Sequence, residues 1–451
     1  TLNISGGYTS YNSRTTEFNN SESYKGYPRP NNSKNVNASV ADYLRNDWMN
    51  ENVLTYKRKY NNKHNFDVMV GFTMQGTTTE KYGFETTNIP DEGLGLSGMD
   101  DGLPYATNVS LSENTLMSAL ARVNYNYKSR YMFTASFRAD GSSKFMDGHR
   151  WGYFPSGAFA WKIDQEPFMK DIEEVNELKL RLSAGVTGTQ NIGNYNNKDL
   201  YGPNDFLGKP GIIPTTLGNN DLRWERTKQF DIAVDYALLD YRLSGSIGWY
   251  YKNTNDLLWY IDFPTSLQPF SGMYKNVGRV QNKGFEWIVD AKIFRETEVK
   301  WDVTFNLAVN RNKVKSLVSE GAQDWAGKGV VQGSGTEVLA EGHPVGAVLG
   351  YQTDGIFQTD AEAAAYVNST GERLQPNAKA GDIRFKDVDG NGSIDSGDKV
   401  YSGSGIPKVE ANLSFSGSYK NFDLSFQFGS AWGHKLYNVN RLYYEGMDAG
   451  R

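Results

Sequence analysis

The sequence predicts an all-β protein, specifically an antiparallel transmembrane β-barrel. Aromatic residues make up 14% of the 451 residues, glycine outnumbers proline by 47 to 14, and long segments alternate between apolar and polar side chains. Aromatic residues favour strands, and Gly, Asn and Ser favour the turns between them. No apolar run approaches the roughly 20 residues of a transmembrane helix. A search for long apolar runs does not detect barrel strands, because every second side chain of such a strand faces a water-filled interior.

Period-two alternation marks the candidate strands in chain order. The first covers 66–74, and the clearest hairpin covers 116–138 with its turn at 128–130. Further strands are predicted at 178–187, 230–236, 243–251, 287–293 and 301–310, followed by a hairpin of 413–415 and 422–428. Each strand has about 9 to 11 residues, the length that a tilted strand needs to cross a bilayer.

The two faces of these strands differ in chemistry. One face carries residues such as Met117, Val123 and Phe133, which suit contact with lipid. The other carries polar side chains that suit a water-filled lumen: Arg122, Asn124, Arg138, Lys179, Arg181, Asp231 and Asp235. Aromatic residues at strand ends are expected to form interfacial girdles: Tyr125, Tyr127, Tyr131, Trp249, Tyr251, Trp287 and Trp301.

The connections alternate in length. Those near 129, 240, 296 and 421 are very short, whereas 76–115, 188–228, 253–284 and 314–408 are long. Short turns at one rim and long extracellular loops at the other are typical of outer-membrane barrels, and the hairpins add up to roughly 12 to 14 strands. A soluble propeller or stacked sandwich is the alternative, because alternation shows only that one face is dry.

The composition excludes several kinds of chemistry. The chain has no cysteine and only four histidines, at 64, 149, 343 and 434, without the spacing of a metal site on one helix. A net charge of −5 gives no electrostatic reason to expect a nucleic-acid partner. We therefore predict neither catalytic residues nor an enzyme.

Residues 387–398 resemble a twelve-position calcium loop. Asp387, Asp389, Asn391 and Asp395 supply side-chain oxygens at the pattern's odd positions, Ser393 a backbone carbonyl, and Asp398 the last ligand. Aspartate replaces the usual final glutamate, and the helices of an EF-hand are absent from the pattern. The sequence predicts a structural Ca²⁺ ion that clamps an extracellular loop at 381–400. The alternative is an Asp/Gly/Asn turn without an ion.

Several longer motifs resemble one known family, the SusC/RagA group of TonB-dependent outer-membrane transporters. They follow the family's order over most of the chain: RADGSSKF at 138–145, RWGYFPS at 150–156, LKLRLSAGVTGTQNIG at 178–193, WERT at 224–227, YYKNTNDLL at 250–258, GYQTDGIFQ at 350–358 and GDIRF at 381–385.

The resemblance implies a barrel of about 22 strands filled by a plug domain. It implies import of large nutrients, glycans or oligopeptides, across the outer membrane of a Gram-negative bacterium. TonB is expected to pull the plug, and a SusD-like surface lipoprotein is expected to cover the extracellular mouth. The surroundings would be outer-membrane lipid and lipopolysaccharide.

We expect residues 1–451 to be the barrel part of a longer chain, with the plug domain outside it. No signal peptide or plug-like segment precedes Thr1, and the sequence stops at Arg451 without a closing aromatic strand. Open strand edges in lipid would cost several kcal/mol for each unpaired backbone group. Active import is thus the predicted function. A passive porin or a structural barrel that scaffolds envelope proteins is one alternative, and a soluble carbohydrate-binding β protein is another.

Overall fold

The computed structural model describes residues 1–206, 209–263, 270–294, 297–317, 330–332, 337–436, 438 and 440. Nearly all its regular structure is β. In chain order the strands are Leu2–Asn19 (β1), Asn37–Tyr60 (β2), His64–Thr87 (β3), Leu103–Tyr127 (β4), Tyr131–Ser142 (β5), Trp151–Lys162 (β6), Val175–Thr189 (β7), Leu200–Phe206 (β8), Lys209–Thr216 (β9), Glu225–Leu238 (β10), Leu243–Asn255 (β11), Leu258–Asp262 (β12), Gly272–Asn276 (β13), Arg279–Phe294 (β14), Val299–Ser316 (β15), Val330–Gln332 (β16), Glu337–Ala340 (β17), Ala347–Tyr351 (β18), Thr353–Ile356 (β19), Ile383–Phe385 (β20), Lys399–Ser404 (β21), Val409–Tyr419 (β22) and Phe422–Trp432 (β23).

Helical structure is confined to short segments in the connections. One α-helix, α1, covers Asp360–Ala365, and 3₁₀ turns cover Glu92–Asp101, Ile163–Gln165, Pro167–Met169 and Ser396–Asp398. Within the parts of the chain that the structure describes, no helix has the length and apolarity to cross a membrane.

Thirteen of these strands form one sheet in the order β1-β2-β3-β4-β5-β6-β7-β10-β11-β14-β15-β22-β23. Each strand therefore lies beside the next large strand along the chain, as in a meander, and the predicted count of 12 to 14 is confirmed. The ten remaining strands form small sheets inside three of the connections: β8-β9, β12-β13, β16-β17-β18-β21 and β19-β20.

Contacts divide the chain into two compact units. The first comprises Thr1–Phe159, Gly185–Arg226 and Leu258–Asn276, and the second comprises Ala160–Ala184, Thr227–Leu257 and Val277–Arg451. In the first unit, strand register places Val70 between Leu54 and Ala121, and Ala121 beside Phe137. Directly paired residues share a face, so this apolar row continues across four strands.

The second unit shows the same arrangement. Val289 pairs with Phe305, Phe305 with Leu413, and Leu413 with Phe428. These apolar rows are open: Val70 is 53% exposed and Phe428 62%. The predicted apolar rows thus face outward and do not meet in a sealed core.

The prediction that strands have 9 to 11 residues is wrong for most of the sheet, whose strands have 11 to 25 residues. The predicted long loop at 76–115 is also mostly strand, and only 88–102 connects β3 to β4. The ladder continues past the apolar row of β3 with pairs such as Gly76↔Thr115 and Thr78↔Glu113. Backbone pairing needs no apolar side chain, so these strands continue beyond the residues that alternation marks.

Strands β1, β2 and β6 were not among the strands that alternation predicted. The hairpin turn predicted at 128–130 is confirmed: the Arg130 N–H donates to the Tyr127 carbonyl at 3.0 Å, and the two residues between them, Lys128 and Ser129, both have positive φ (53° and 56°), as in a type I′ turn. The turn predicted near 296 includes residues 295 and 296, which lie outside the described residues.

The buried apolar cluster of the first unit is built largely from the longer motifs. Phe145, Phe154, Ile192, Leu222 and Trp224 are all at most 7% exposed and pack together. The Trp224 indole N–H donates to the Arg150 carbonyl at 2.8 Å. A Cβ at Gly188 would lie 2.1 Å from the Phe154 ring, so only glycine fits there. The motif residues therefore hold the connections against the sheet.

Trp224→Ala should destabilise the protein by about 3 to 5 kcal/mol, because it opens a cavity in this cluster and removes the bond to Arg150. Trp224→Phe keeps most of the apolar volume and should cost markedly less. Denaturant unfolding of the detergent-solubilised protein, followed by tryptophan fluorescence, measures both. Equal, small losses for the two variants would contradict the assignment of this cluster as a structural core.

Candidate functional site

The polar face of the second unit carries a network of paired charges. Arg181 donates to both carboxylate oxygens of Asp235, at 2.8 and 2.6 Å, and also to the Ser246 hydroxyl at 3.2 Å. Lys179 lies 3.5 Å from the same carboxylate. These contacts join β7, β10 and β11. The structure thus brings three of the predicted lumenal residues together on one face.

Asp231 belongs to the same polar face. Its carboxylate accepts from the Ser183 hydroxyl at 3.1 Å and from the Gln229 amide at 2.9 Å. Charged side chains on the polar face of a barrel wall need partners, because an unpaired charge close to lipid is energetically costly.

The polar face of the first unit surrounds a cavity of about 480 Å³. Arg138 donates from Nε to both oxygens of Asp140, at 2.7 and 2.9 Å, and from Nη2 to the Ser118 hydroxyl at 3.0 Å. Asp140 and Ser118 are buried. Arg122 also lines the cavity and is exposed. The cavity offers charged and neutral hydrogen-bonding groups to a ligand.

Sequence reasoning identified Arg122 and Arg138 but missed Asp140 and Ser118 as partners. The pairing of Arg138 with Asp140 could have been predicted, because residues two apart in one strand share a face. Gln190 and Thr187, from the end of β7, complete the polar side of the cavity. Alternation within one strand cannot show that β7 approaches β4 and β5.

The aromatic residues at the short-turn end of the first unit cluster as predicted. Tyr125 stacks with Phe66 and Phe133, and Tyr127 with Tyr131. The prediction of a strand-end position is wrong for Trp249 and Trp287, which lie in the middle of β11 and β14. The Trp287 indole N–H donates to the Tyr236 hydroxyl at 3.1 Å. That hydrogen bond gives a polar partner to an indole placed away from the strand ends.

The aspartate loop, residues 387–398, follows β20 and ends in the 3₁₀ turn before β21. Ligand atoms of Asp387, Asp389 and Asp398 lie within 4.8 Å of one another. The Asp387 carboxylate accepts from the N–H groups of Gly390 and Gly392, at 2.7 and 2.9 Å. Three of the six predicted metal-ligating residues therefore converge.

The other predicted ligands are oriented differently. The side-chain oxygen of Asn391 accepts from the Ser393 N–H at 2.8 Å. The Asn391 amide N–H₂ group donates to Asp389 and Asp395, at 3.2 and 3.1 Å. The Asn391 amide thus takes the position of a cation between two carboxylates, and its side chain would have to rotate to present oxygen to an ion.

The buried carboxylate of Asp398 holds the loop closed through hydrogen bonds to its backbone. It is fully buried, and its oxygens accept from the N–H groups of Val388 and Asp395, at 2.7 and 2.8 Å. The Asp395 N–H, together with those of Val388 and Asp389, lowers the pKa of Asp398 below its ordinary value. A lowered pKa means that this clamp is fully present above the unfolded-state pKa and weakens as pH falls through the folded-state pKa.

Hydrogen bonds and ion pairs fix the aspartate loop to the segments around it. Asn368 donates to the Gly392 carbonyl at 3.1 Å, and Tyr366 donates to the Phe385 carbonyl at 2.7 Å. Arg384 pairs with Glu362 of α1 at 3.0 Å and with Asp354 at 3.3 Å. These contacts fix the loop to α1 and to the β19-β20 hairpin.

Comparison with known proteins identifies the family. The family described as "TonB dependent receptor-like, beta-barrel" matches residues 1–447. The chain belongs to this family. Its members are outer-membrane proteins, so the predicted location is confirmed. They are also transporters and not enzymes, in agreement with the prediction that the chain has no catalytic role.

Two relatives and one solved structure support the resemblance to SusC and RagA. The chain is 32% identical to the TonB-dependent receptor SusC of Bacteroides thetaiotaomicron over 431 residues, which is 91% of this chain and 40% of SusC. It is 32% identical to the TonB-dependent receptor P39 of Formosa agariphila, over 87% of this chain and 40% of P39. Its fold is similar to the RagAB peptide importer, with a TM-score of 0.78, 21% identity, and coverage of 96% of this chain and 46% of that one. The chain therefore spans less than half the length of these relatives.

Asp398→Ala should open the aspartate loop even in the presence of EDTA, because it leaves buried backbone N–H groups without acceptors, at about 1 to 3 kcal/mol. Asp389→Ala, at an exposed position, should leave the loop closed in EDTA. Limited proteolysis with mass-spectrometric mapping of cleavage between 387 and 398 distinguishes the two. Equal cleavage of both variants would show that the buried carboxylate does not hold the loop.

Proposed function

We propose that this chain forms the barrel wall of a transporter that imports large nutrients, glycans or oligopeptides, across the outer membrane. The observation that carries the proposal is the division of one sheet into an exposed apolar face and a charged, hydrogen-bonded polar face. Family membership and the 32% identity to SusC support it. The plug domain is proposed to lie in the part of the relatives' length that the chain does not cover.

The polar face is suited to hydrophilic cargo. The cavity offers the cationic donors of the exposed Arg122 and the Thr187 hydroxyl, which can both donate and accept. Glycan hydroxyls and peptide groups both need donors and acceptors together. This chemistry favours neither class of cargo over the other.

Energisation by TonB and a SusD-like surface lipoprotein complete the proposal. The long connections, above all that between β15 and β22, are the surface that such a lid would contact. A passive porin or scaffolding barrel is the competing function, and it would need neither partner. The exposed apolar rows favour a membrane protein over the soluble carbohydrate-binding alternative.

The proposal is tested with the full-length protein in its bacterial host. Cells take up a fluorescein-labelled dextran oligosaccharide pool or labelled casein peptides, with and without a protonophore that collapses the inner-membrane gradient. Uptake of one probe should depend on the gene and stop when the gradient collapses. Gene-dependent uptake that continues without the gradient would instead support a porin.

Arg122→Glu should lower the gene-dependent uptake several-fold, because it reverses the charge of an exposed side chain lining the cavity. Lys128→Glu, the same charge change in a short turn, is the matched control and should leave uptake unchanged. Initial uptake rates at equal amounts of protein in the outer membrane measure the effect. Equal rates for the parent protein and both variants would remove Arg122 from the transport path.

We further propose that the aspartate loop binds a structural Ca²⁺ ion. The residues that would hold it are Asp387, Asp389 and Asp398, joined by Asn391 and Asp395 after reorientation of the Asn391 amide and by the backbone carbonyl of Ser393. Three converging carboxylates are a donor set that Ca²⁺ prefers. The ion would neutralise the loop's negative charge and hold the loop closed.

Calcium should raise the temperature at which the 387–398 segment becomes susceptible to protease, and EDTA should reverse the effect. Asp389→Asn should abolish the calcium dependence while leaving the EDTA behaviour unchanged, because the exposed amide keeps the shape of the carboxylate. Magnesium at equal concentration is the control for ionic strength. Identical melting in calcium, magnesium and EDTA would show that the loop is an ion-free turn.

A further inference from the structure

The outward row of β15 changes abruptly from apolar to basic. Val303, Phe305, Leu307 and Val309 alternate along one face, and the next three residues of the same alternation are Arg311, Lys313 and Lys315. All three basic residues are exposed. Residues two apart in a strand share a face, so this row of positive charge is a direct continuation of the apolar row.

Strand β14 repeats the change beside it. Phe285 and Trp287 belong to its outward row, which continues as Lys283, Gln281 and Arg279. Register pairs Lys283 with Arg311 and Gln281 with Lys313. The register shifts between Arg279 and Val280, where Arg279 pairs with Ser316 and Lys315 is the extra residue of a bulge. Arg279, Lys283, Arg311, Lys313 and Lys315, here called the basic row, thus lie near one another at the same end of two neighbouring strands of the second unit.

The structure supplies little counter-charge to this patch. Arg279 donates to the Ser316 hydroxyl at 3.3 Å, and Arg311 donates to the carbonyls of Asn310 and Lys408, both at 3.0 Å. Among the residues the structure places, none of the five forms an ion pair with a carboxylate. Like charges directly opposed across two strands are destabilising, so the Lys283↔Arg311 pair calls for an external anion.

The position of the basic row along the strands is defined by the apolar residues next to it. Successive register pairs join Trp249, Phe285, Val309, Val409 and Trp432 into an apolar belt. This belt lies at the next same-face pair, two residues along β14 and β15 from Lys283 and Arg311. Beyond the basic row, β15 leads into the long connection that carries the aspartate loop. The patch is therefore at the extracellular edge of the hydrocarbon, facing lipid.

A basic edge is not a general feature of this sheet. In the first unit the outward row of β3 continues from Met74 as Gly76, Thr78 and Glu80, and its register partners in β4 are Thr115, Glu113 and Leu111. Those positions are neutral or acidic. In β10 the outward row also turns basic, from Phe230 to the exposed Lys228 and Arg226. The paired strands β14 and β15 together carry five basic residues at this edge.

We propose that the basic row binds the phosphate groups of lipopolysaccharide in the outer leaflet. The lipid acyl chains would lie on the apolar belt, while the arginine and lysine side chains would neutralise phosphate at the headgroup level. The arginine guanidinium group binds phosphate through paired N–H groups, and the lysine ammonium group supplies a compact positive charge. The proposal rests on the outer-membrane location and not on import, so it stands or falls separately from the proposed function.

The test uses the full-length protein purified in a mild detergent and native mass spectrometry of lipid-bound states. The probes are lipopolysaccharide with intact lipid A phosphates, the same preparation after enzymatic dephosphorylation, and inorganic phosphate alone. The variant is the triple substitution Lys283→Gln, Arg311→Gln and Lys313→Gln. The matched control is Lys59→Gln, Lys63→Gln and Lys128→Gln, which removes the same charge from exposed positions at the short-turn end.

The phosphorylated lipid should bind the triple variant on the order of 100-fold more weakly, which is roughly a factor of five for each basic residue. The control should bind like the parent protein, and added salt should weaken parent binding. Dephosphorylated lipid should bind parent and variant alike, and inorganic phosphate should not compete at equimolar amounts. Equal binding of phosphorylated lipid to variant and parent, or an equal loss in the control, would overturn the proposal. Competition by free phosphate would replace it with a simple anion site.

Discussion

The constraint on which the rest of the structure depends is that every backbone N–H and C=O group crossing a membrane needs a hydrogen-bond partner within the protein. Within the thirteen-stranded sheet that the structure describes, the partner is the adjacent long strand, and β1 and β23 are each paired on one side. The thirteen-stranded meander therefore fixes which residues lie side by side, and through that register it fixes the faces. A slip of one residue in any pair would move Val70 or Phe133 to the polar face and its charged neighbours into lipid.

The polar face illustrates how a wall of this kind carries charge. Arg181 with Asp235, and Arg138 with Asp140, are each bonded through two carboxylate oxygens. Such pairs satisfy one another and leave separate residues, such as Arg122, available to a hydrophilic ligand. On the outward face the charge is at the edge of the apolar belt, where lipid headgroups begin. The same alternation thus produces a lumenal wall and a lipid-binding edge.

Sequence reasoning recovered the fold class, the two faces and most of the strand order, because period two is local and register follows from hairpins. It misjudged strand ends, since Thr77 to Thr79 continue the ladder without any apolar signal. It also missed β1 and β2, where polar residues interrupt the alternation, and β6, where apolar residues lie on both faces. The clustering of Phe154 with Trp224 was out of reach, because those residues are 70 positions apart and meet only through loop packing. For the aspartate loop, the order of the carboxylates was predictable from the sequence, whereas the rotation of the Asn391 amide toward them was not.

The central claim, that apolar rows face lipid while their neighbours face water, is tested most directly by site-directed spin labelling. The 451 residues contain no cysteine, so each introduced thiol is the only one they carry. Labels would replace Val70, Val123 and Phe133 on one face, and Met69, Asn124 and Thr134 on the other, with the full-length protein reconstituted in lipid. Collision with oxygen should dominate at the first three positions, and collision with a water-soluble nickel chelate at the other three. The reverse pattern, or no difference between adjacent residues such as Val123 and Asn124, would contradict the account.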